Sequence, residues 1–228
     1  MKVTLSLEKT VSKDVSIVVD ALRASATITV AFNNFKNVIP AFNPDEARKI
    51  AKNENAILAG ERKGKKLEGF DIGNSPEKVE NYKTNKDTIV ITTSNGTRIM
   101  EAMNSTVLVG CFVNAKSVAK KALEIATDHI DLVMAGRNSD FALEDYLACG
   151  EILYWIRKEL KKEDEISEYA LGSILASRDY PKIKEIIPQT KSGQVLSKLN
   201  HQDDIEYCMQ KNITKNVVLY ENRKLRLL

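Results

Sequence analysis

Residues able to do chemistry recur in this 228-residue chain at one kind of place, the end of a short apolar run. Val15-Ser16-Ile17-Val18-Val19 ends on Asp20, with Arg23 and Ser25 close behind, and Ala56-Ile57-Leu58-Ala59 is followed by Glu61 and Arg62. Thr88-Ile89-Val90-Ile91 leads into Thr92-Thr93-Ser94-Asn95-Gly96-Thr97-Arg98. Asn114 follows Thr106-Val107-Leu108-Val109, and Asp131-Leu132-Val133-Met134-Ala135 leads to Arg137 and then to Glu144 and Asp145. Carboxylates are hard oxygen ligands and proton carriers, whereas guanidinium forks match the oxygens of phosphates and carboxylates. The mixture suits a divalent metal together with an anionic substrate better than it suits either alone. The segment 92–98 adds hydroxyls, unpaired N–H groups and the positive end of a helix dipole at one point, which is a place for an anion.

Taken singly, each residue also has an ordinary use. Asp20 could cap a helix, Arg23 and Arg62 could sit in surface ion pairs, and Glu144 and Asp145 fall in a first helical turn where the dipole favours acids. Their shared position is the argument, because ligands of open α/β sheets bind beyond the carboxyl ends of the strands.

The elements that must position them alternate. The apolar runs lack polar alternation, so they read as strands covered on both faces. Helices are predicted in the apolar segment that follows Ala21 to Ala26 and runs to about Phe32, from Asn43-Pro44-Asp45-Glu46 to about Lys52, after Ser75-Pro76, over 99–103, over 115–126 and from Leu143 onward. The predicted fold is three-layer α/β/α with a mixed, mostly parallel sheet, in a single domain over 1–228. Residues 160–228 leave room for a smaller C-terminal α+β subdomain, helical with breaks at Pro181 and Pro188 and closed by a hairpin turning at Glu221-Asn222. Residues 60–75 carry four of the ten glycines, a long irregular segment of the kind that tends to be functional, with Phe70 and Ile72 apolar enough to be packed.

Bulk properties exclude several classes. Thirty-four Lys and Arg against 31 Asp and Glu give a net charge of +3, spread along the chain without a basic block, so nucleic acid is not favoured. No run approaches a membrane span. Cys111, Cys149 and Cys208 form neither a disulfide framework nor a zinc pattern, and Cys111, just after a strand, is the one to watch. Together with the lack of a signal-peptide core, they predict a cytoplasmic protein. His129 and His201 leave little room for histidine chemistry, so a metal should be oxygen-bound.

Val19-Asp20-Ala21-Leu22-Arg23-Ala24-Ser25 resembles a motif of the 2-phosphosulfolactate phosphatase family of coenzyme M biosynthesis. Gly60-Glu61-Arg62, Gly69-Phe70-Asp71-Ile72-Gly73-Asn74-Ser75-Pro76, Thr92 to Arg98 and Phe141-Ala142-Leu143-Glu144-Asp145 resemble four more, in family order, across residues 15–150. Ala21 and Ser94 stand where other small or apolar residues are expected, changes that leave the charge alone. The resemblance implies a magnesium-dependent acid phosphatase that converts (R)-2-phospho-3-sulfolactate to sulfolactate and phosphate. On that basis Mg²⁺ is expected on some of Asp20, Asp71, Glu144 and Asp145, and Asp20, Glu61 and Arg23 are the expected catalytic residues. Arg23, Ser25, Arg62, Thr93, Asn95, Gly96, Thr97, Arg98 and Arg137 are the expected contacts of a small phosphate ester. Attack by water and attack by Asp20 both stay open. A non-catalytic protein that senses a phosphorylated hydroxy acid, and a magnesium-requiring phosphotransferase, are the competing readings. Oligomeric state is not readable, with a homodimer as the working expectation.

Overall fold

Buried β-branched runs form the strands, and a computed structural model of the protein describes residues 1–93, 96–137 and 139–228, with Gly96 and Thr97 described as backbone only. Ser94, Asn95 and the Thr97 side chain of the expected anion turn therefore lie outside the described residues, as does Asn138.

One parallel block is made of β1 (Lys2–Leu7), β2 (Val15–Val19), β7 (Thr106–Val109), β8 (His129–Met134) and the short edge strand β9 (Glu165–Ile166), in the order β7-β2-β8-β1-β9. A second is made of β3 (Asn37–Ala41), β4 (Ile57–Arg62) and β6 (Thr88–Thr92), in the order β4-β6-β3, with β5 (Lys65–Lys66) folded back on β4. Every residue of β2 and β6 is buried, which accounts for their unbroken apolar character. β1 was not among the expected strands; its residues alternate with Thr4 and Ser6, whose hydroxyls meet the Asp131 carboxylate.

The hairpin β10 (Val218–Glu221) and β11 (Lys224–Leu227) joins the blocks. It turns at Asn222 and Arg223, both at positive φ, as a two-residue turn matched to strand twist requires. β11 pairs antiparallel with β3 and β10 antiparallel with β7, giving, among the described residues, one sheet of eleven strands. Three successive antiparallel steps reverse the sense of one block relative to the other. The residues 160–228 thus supply β9 at one edge, the hairpin in the middle, and helices α7 (Glu168–Ala176), α8 (Tyr180–Ile186), α9 (Lys191–Lys198) and α10 (Gln202–Met209). Pro181 starts α8 behind an Asp179 cap rather than breaking a helix, because the first turn needs no proline N–H.

Helix α1 (Ala24–Ala31) has all eight residues buried. Its Ile28 and Ala31 join one apolar cluster with Val18, Val109 and Val133 of the first block and Ile57, Ile89 and Ile91 of the second. The sheet must therefore wrap round this helix, and burying Ile28 alone contributes about 2 kcal/mol. Val79 of α3 (Pro76–Glu80) and Ile99 and Met100 of α4 (Gly96–Glu101) close the same cluster. The outer face is covered by α2 (Pro44–Asn53) over the second block and by α5 (Ala115–Ile125) and α6 (Leu143–Arg157) over the first. The expected cap is formed: Asn43 Oδ1 accepts from Glu46 N at 2.8 Å.

Candidate active site

Wrapping the sheet brings the ends of β2, β4, β6 and β8 round one cavity of about 420 Å³. Asp20, Arg23, Glu61, Thr93, Arg137, Glu144 and Asp145 line it. The cavity lies at the strand ends where ligands of α/β sheets are expected, although the two blocks run in opposite senses.

The turn from β2 into α1 holds Asp20 by local bonds. Ser25 N donates to the Asp20 carbonyl at 3.0 Å, Asp20 N donates to Ser25 Oγ at 2.9 Å, and Ala24 N donates to Asp20 Oδ1 at 3.3 Å. Ser25, expected at the substrate, is buried and used in closing this turn. Burial pushes the Asp20 carboxyl up to about 7, with the like charges of Glu61 and Glu144 adding to the rise against the Ala24 N–H and the Arg23 guanidinium.

Asp145 works differently. Its two oxygens accept from Ala21 N at 2.8 Å and from Gly136 N at 3.0 Å, so it brackets the turn after β2 to the turn after β8. Burial, then Asp20 and Glu144, hold its carboxyl well above the usual range. Gly136 is required there: it sits at φ +65°, and a Cβ would meet the Asp140 carbonyl oxygen at 2.7 Å.

The long segment after β4 is a tight hairpin. Lys63 and Gly64 turn at positive φ, Gly64 N donates to Glu61 Oε2 at 2.7 Å, and Glu61 is buried in the cavity wall. Phe70 and Ile72 are buried, as their apolarity suggested. Asp71 does not join the other acids. It is exposed, accepts from Leu58 N at 2.8 Å, and lines a neighbouring cavity of about 880 Å³.

The arginines separate. Arg23 is buried and lines both cavities, and Arg137 is half-buried in the wall of the smaller. Arg62 turns away to Thr92 Oγ1 at 3.1 Å and the Glu61 carbonyl at 2.6 Å, and Arg98 is exposed and paired with Glu8 at 2.9 Å. Neither lines the smaller cavity. Cys111 is fully buried and its thiol is pushed up to about 12 by that burial, so it stays a thiol and serves the core. Asn114 is likewise structural, accepting from Cys111 N at 3.0 Å.

Several wall residues were not anticipated. Lys63, Asn74, Gly136 and, from α9, Ser192, Val195 and Leu196 line the cavity, and Asp204 of α10 forms a buried ion pair with Arg23. Asn74 stood inside the Gly-Phe-Asp-Ile-Gly-Asn-Ser-Pro motif; α9 and α10 carry no comparable signal. Among the described residues, Asn74 Oδ1 and Thr93 Oγ1 are buried without a hydrogen-bond partner, although both residues face the cavity.

These observations bear on a metal. Among the described residues no three His, Cys, Asp or Glu side chains are gathered tightly enough to hold an ion as they stand. Magnesium, however, needs only one or two carboxylates when waters and phosphate oxygens complete its shell. Asp20, Glu61 and Glu144 crowd one wall with negative charge, and two unpartnered oxygens lie beside them. The donor set fits a hard cation.

A large mixed sheet with helices and an acid-lined, arginine-bearing cavity beyond its strand ends defines an α/β protein with a charged cavity. The comparison with known sequences narrows this. Residues 2–223 match the family described as 2-phosphosulpholactate phosphatase, and the chain belongs to that family. It is 42% identical over 228 residues to the 2-phosphosulfolactate phosphatase of Methanothermobacter thermautotrophicus, covering all of this chain and 96% of that protein. It is 34% identical over 223 residues to the probable 2-phosphosulfolactate phosphatase of Clostridium acetobutylicum, 96% of this chain and 94% of that one. A protein of the same name from Clostridium botulinum is 36% identical over 222 residues, 94% of this chain and 92% of the relative.

Proposed function

We propose that the protein hydrolyses (R)-2-phospho-3-sulfolactate to (R)-3-sulfolactate and phosphate, with Mg²⁺, in the cytoplasm and as a step of coenzyme M biosynthesis. The observation that carries the reading is the joining of Asp20, Glu61 and Glu144 with Arg23, Lys63 and Arg137 in one cavity. The names of the full-length relatives support the activity, and three free cysteines suit a reducing compartment. Among the described residues no helix is long and apolar enough to cross a membrane.

Asp20 and Glu144 are the residues that would hold the cation, with Glu61 beside them. Magnesium held there would supply positive charge to offset the negative charge of a phosphate ester. Arg23, Arg137 and Lys63 orient the ester through its anionic groups, and their fixed charges face the oxygens that gain charge as the P–O bond breaks. Thr93 Oγ1 offers a further polar contact. Asp20, which lines the cavity, is the group proposed to exchange a proton with the reacting centre or to attack phosphorus itself. Asp145 keeps the two turns in register and so sets where Asp20 stands.

Phosphate release from phosphosulfolactate and from phospholactate, with Mg²⁺ and with chelator, tests the reading. Turnover that requires Mg²⁺ and prefers the sulfonate is expected. Saturable binding of both esters without release would replace the enzyme by a binding protein.

A further inference from the structure

The C-terminal helices contain none of the anticipated site residues, yet α10 delivers a buried carboxylate to Arg23. We propose that Asp204 is a positioning residue that pins the guanidinium of Arg23 for anion binding. The proposal rests on Arg23 holding the phosphate ester, as in the function above.

Asp204 is 3% exposed and its two oxygens have separate partners. Oδ2 accepts from Arg23 Nη1 and Oδ1 accepts from Ser75 Oγ, so one carboxylate ties the β2–α1 turn to the 69–76 segment. Arg23 Nη2 donates to the Gly64 carbonyl at 3.2 Å, fixing the plane of the fork at a second nitrogen. Arg23 lines both cavities, and two of its five N–H donors are accounted for by Asp204 and Gly64. His201 Nδ1, one turn earlier on the chain, lies 3.6 Å from Asp204 Oδ2.

The physical need follows from the neighbours. Asp20, Glu61 and Glu144 lie on the same wall, and an untethered guanidinium on a flexible stem would be drawn onto them. Arg23 would then cancel the charge that holds the cation, instead of facing the ester. The Asp204 carboxylate gives the guanidinium a fixed partner of its own. A second-sphere anchor of this kind typically governs about 10- to 100-fold in affinity or activity.

A double-mutant cycle separates positioning from mere stability. Calorimetric titration with inorganic phosphate, and KM and kcat for the ester, are measured for wild type, Asp204→Asn, Asp204→Ala, Arg23→Met and the two double variants. Expected is about a tenfold loss of phosphate affinity for Asp204→Asn, more for Asp204→Ala, with KM moving further than kcat, and no additional loss in the Arg23→Met background. The double variant is also expected to melt above Arg23→Met, which strands a buried carboxylate. Equal losses in both backgrounds, or phosphate affinity and KM unchanged in Asp204→Asn, would overturn the proposal; Asp204→Asn serves if the alanine variant does not fold. Wild type that binds phosphate but hydrolyses neither ester removes the proposed activity and leaves the cycle readable. Wild type that does neither overturns both.

Discussion

Asp131 and Asp20 are carboxylates of the same parallel block in opposite circumstances. Asp131, in β8, is fully buried and answered by four donors: Thr4 Oγ1 at 2.6 Å, Val11 N at 2.8 Å, Thr10 Oγ1 at 2.9 Å and Ser6 Oγ at 3.1 Å. Asp20, just past β2, has one amide at 3.3 Å and the Arg23 guanidinium against three acidic neighbours, Glu61, Glu144 and Asp145. The first is a carboxyl group both of whose oxygens are answered by donors of the fold. The second, among the described residues, meets no comparable set of donors. Burial alone does not mark a functional acid; the mismatch between charge and local donors does.

Substitution should break the comparison cleanly. Asp20→Asn is expected to lower ester turnover by about a thousandfold while leaving the melting temperature unchanged or higher, since it relieves repulsion. Asp131→Ala is expected to do the reverse. It should cost about 3 kcal/mol in urea denaturation, with turnover per folded molecule kept, because it strands three hydroxyls and an amide. Similar turnover losses in both variants would erase the distinction.

Magnesium should sharpen it. At about a hundred times its dissociation constant the ion should add about 2.7 kcal/mol to wild-type stability, read as a rise in melting temperature. Asp131→Ala should keep that increment and Asp20→Asn should lose most of it.

The smallest effect is in pH. The raised pKa of Asp20 means that the folded state binds a proton the unfolded chain has lost, so metal-free protein should lose stability as pH rises from about 4 to about 7. Asp14 should act with the opposite sign. Burial raises its carboxyl, but N–H donors from Asp128, His129 and Thr127 outweigh that and bring it down to about 2. Its contribution is complete above the unfolded value near 3.8 and is lost as pH falls through about 2. Urea midpoints of Asp20→Asn and Asp14→Asn across pH 2–8 should each flatten one of the two slopes and leave the other.

Much of the site could be seen in the chain because a strand end is a local feature. Asp20, Glu61, Thr93 and Arg137 each follow an apolar run, and the fold carries all four to the cavity. Arg62 and Arg98 obey the same pattern and do not reach it. A long arginine stem can place its head on either side of a strand end, and that choice is made by partners, here Thr92 and Glu8, that sequence spacing does not name. Asp204 was hidden for a related reason. It lies 181 residues from Arg23 on a short polar helix, and nothing near it in sequence records the pairing. The sheet order has the same origin: the apolar runs announce strands, whereas the place of β10 and β11 depends on edges made elsewhere in the chain.

That hairpin also sets an order of events during synthesis. More than two hundred residues leave the ribosome before β10 does, and each parallel block has its own strands, helices and apolar face by then. Neither block has a neighbour for its inner edge, β3 in one and β7 in the other, until the hairpin arrives to fill the gap. For that interval the nascent chain carries two unpaired strand edges, the state in which contact with another copy competes with self-completion. The residues that lie furthest from the chemistry in sequence are thus the ones whose arrival turns two half-built sheets into a vessel for a substrate.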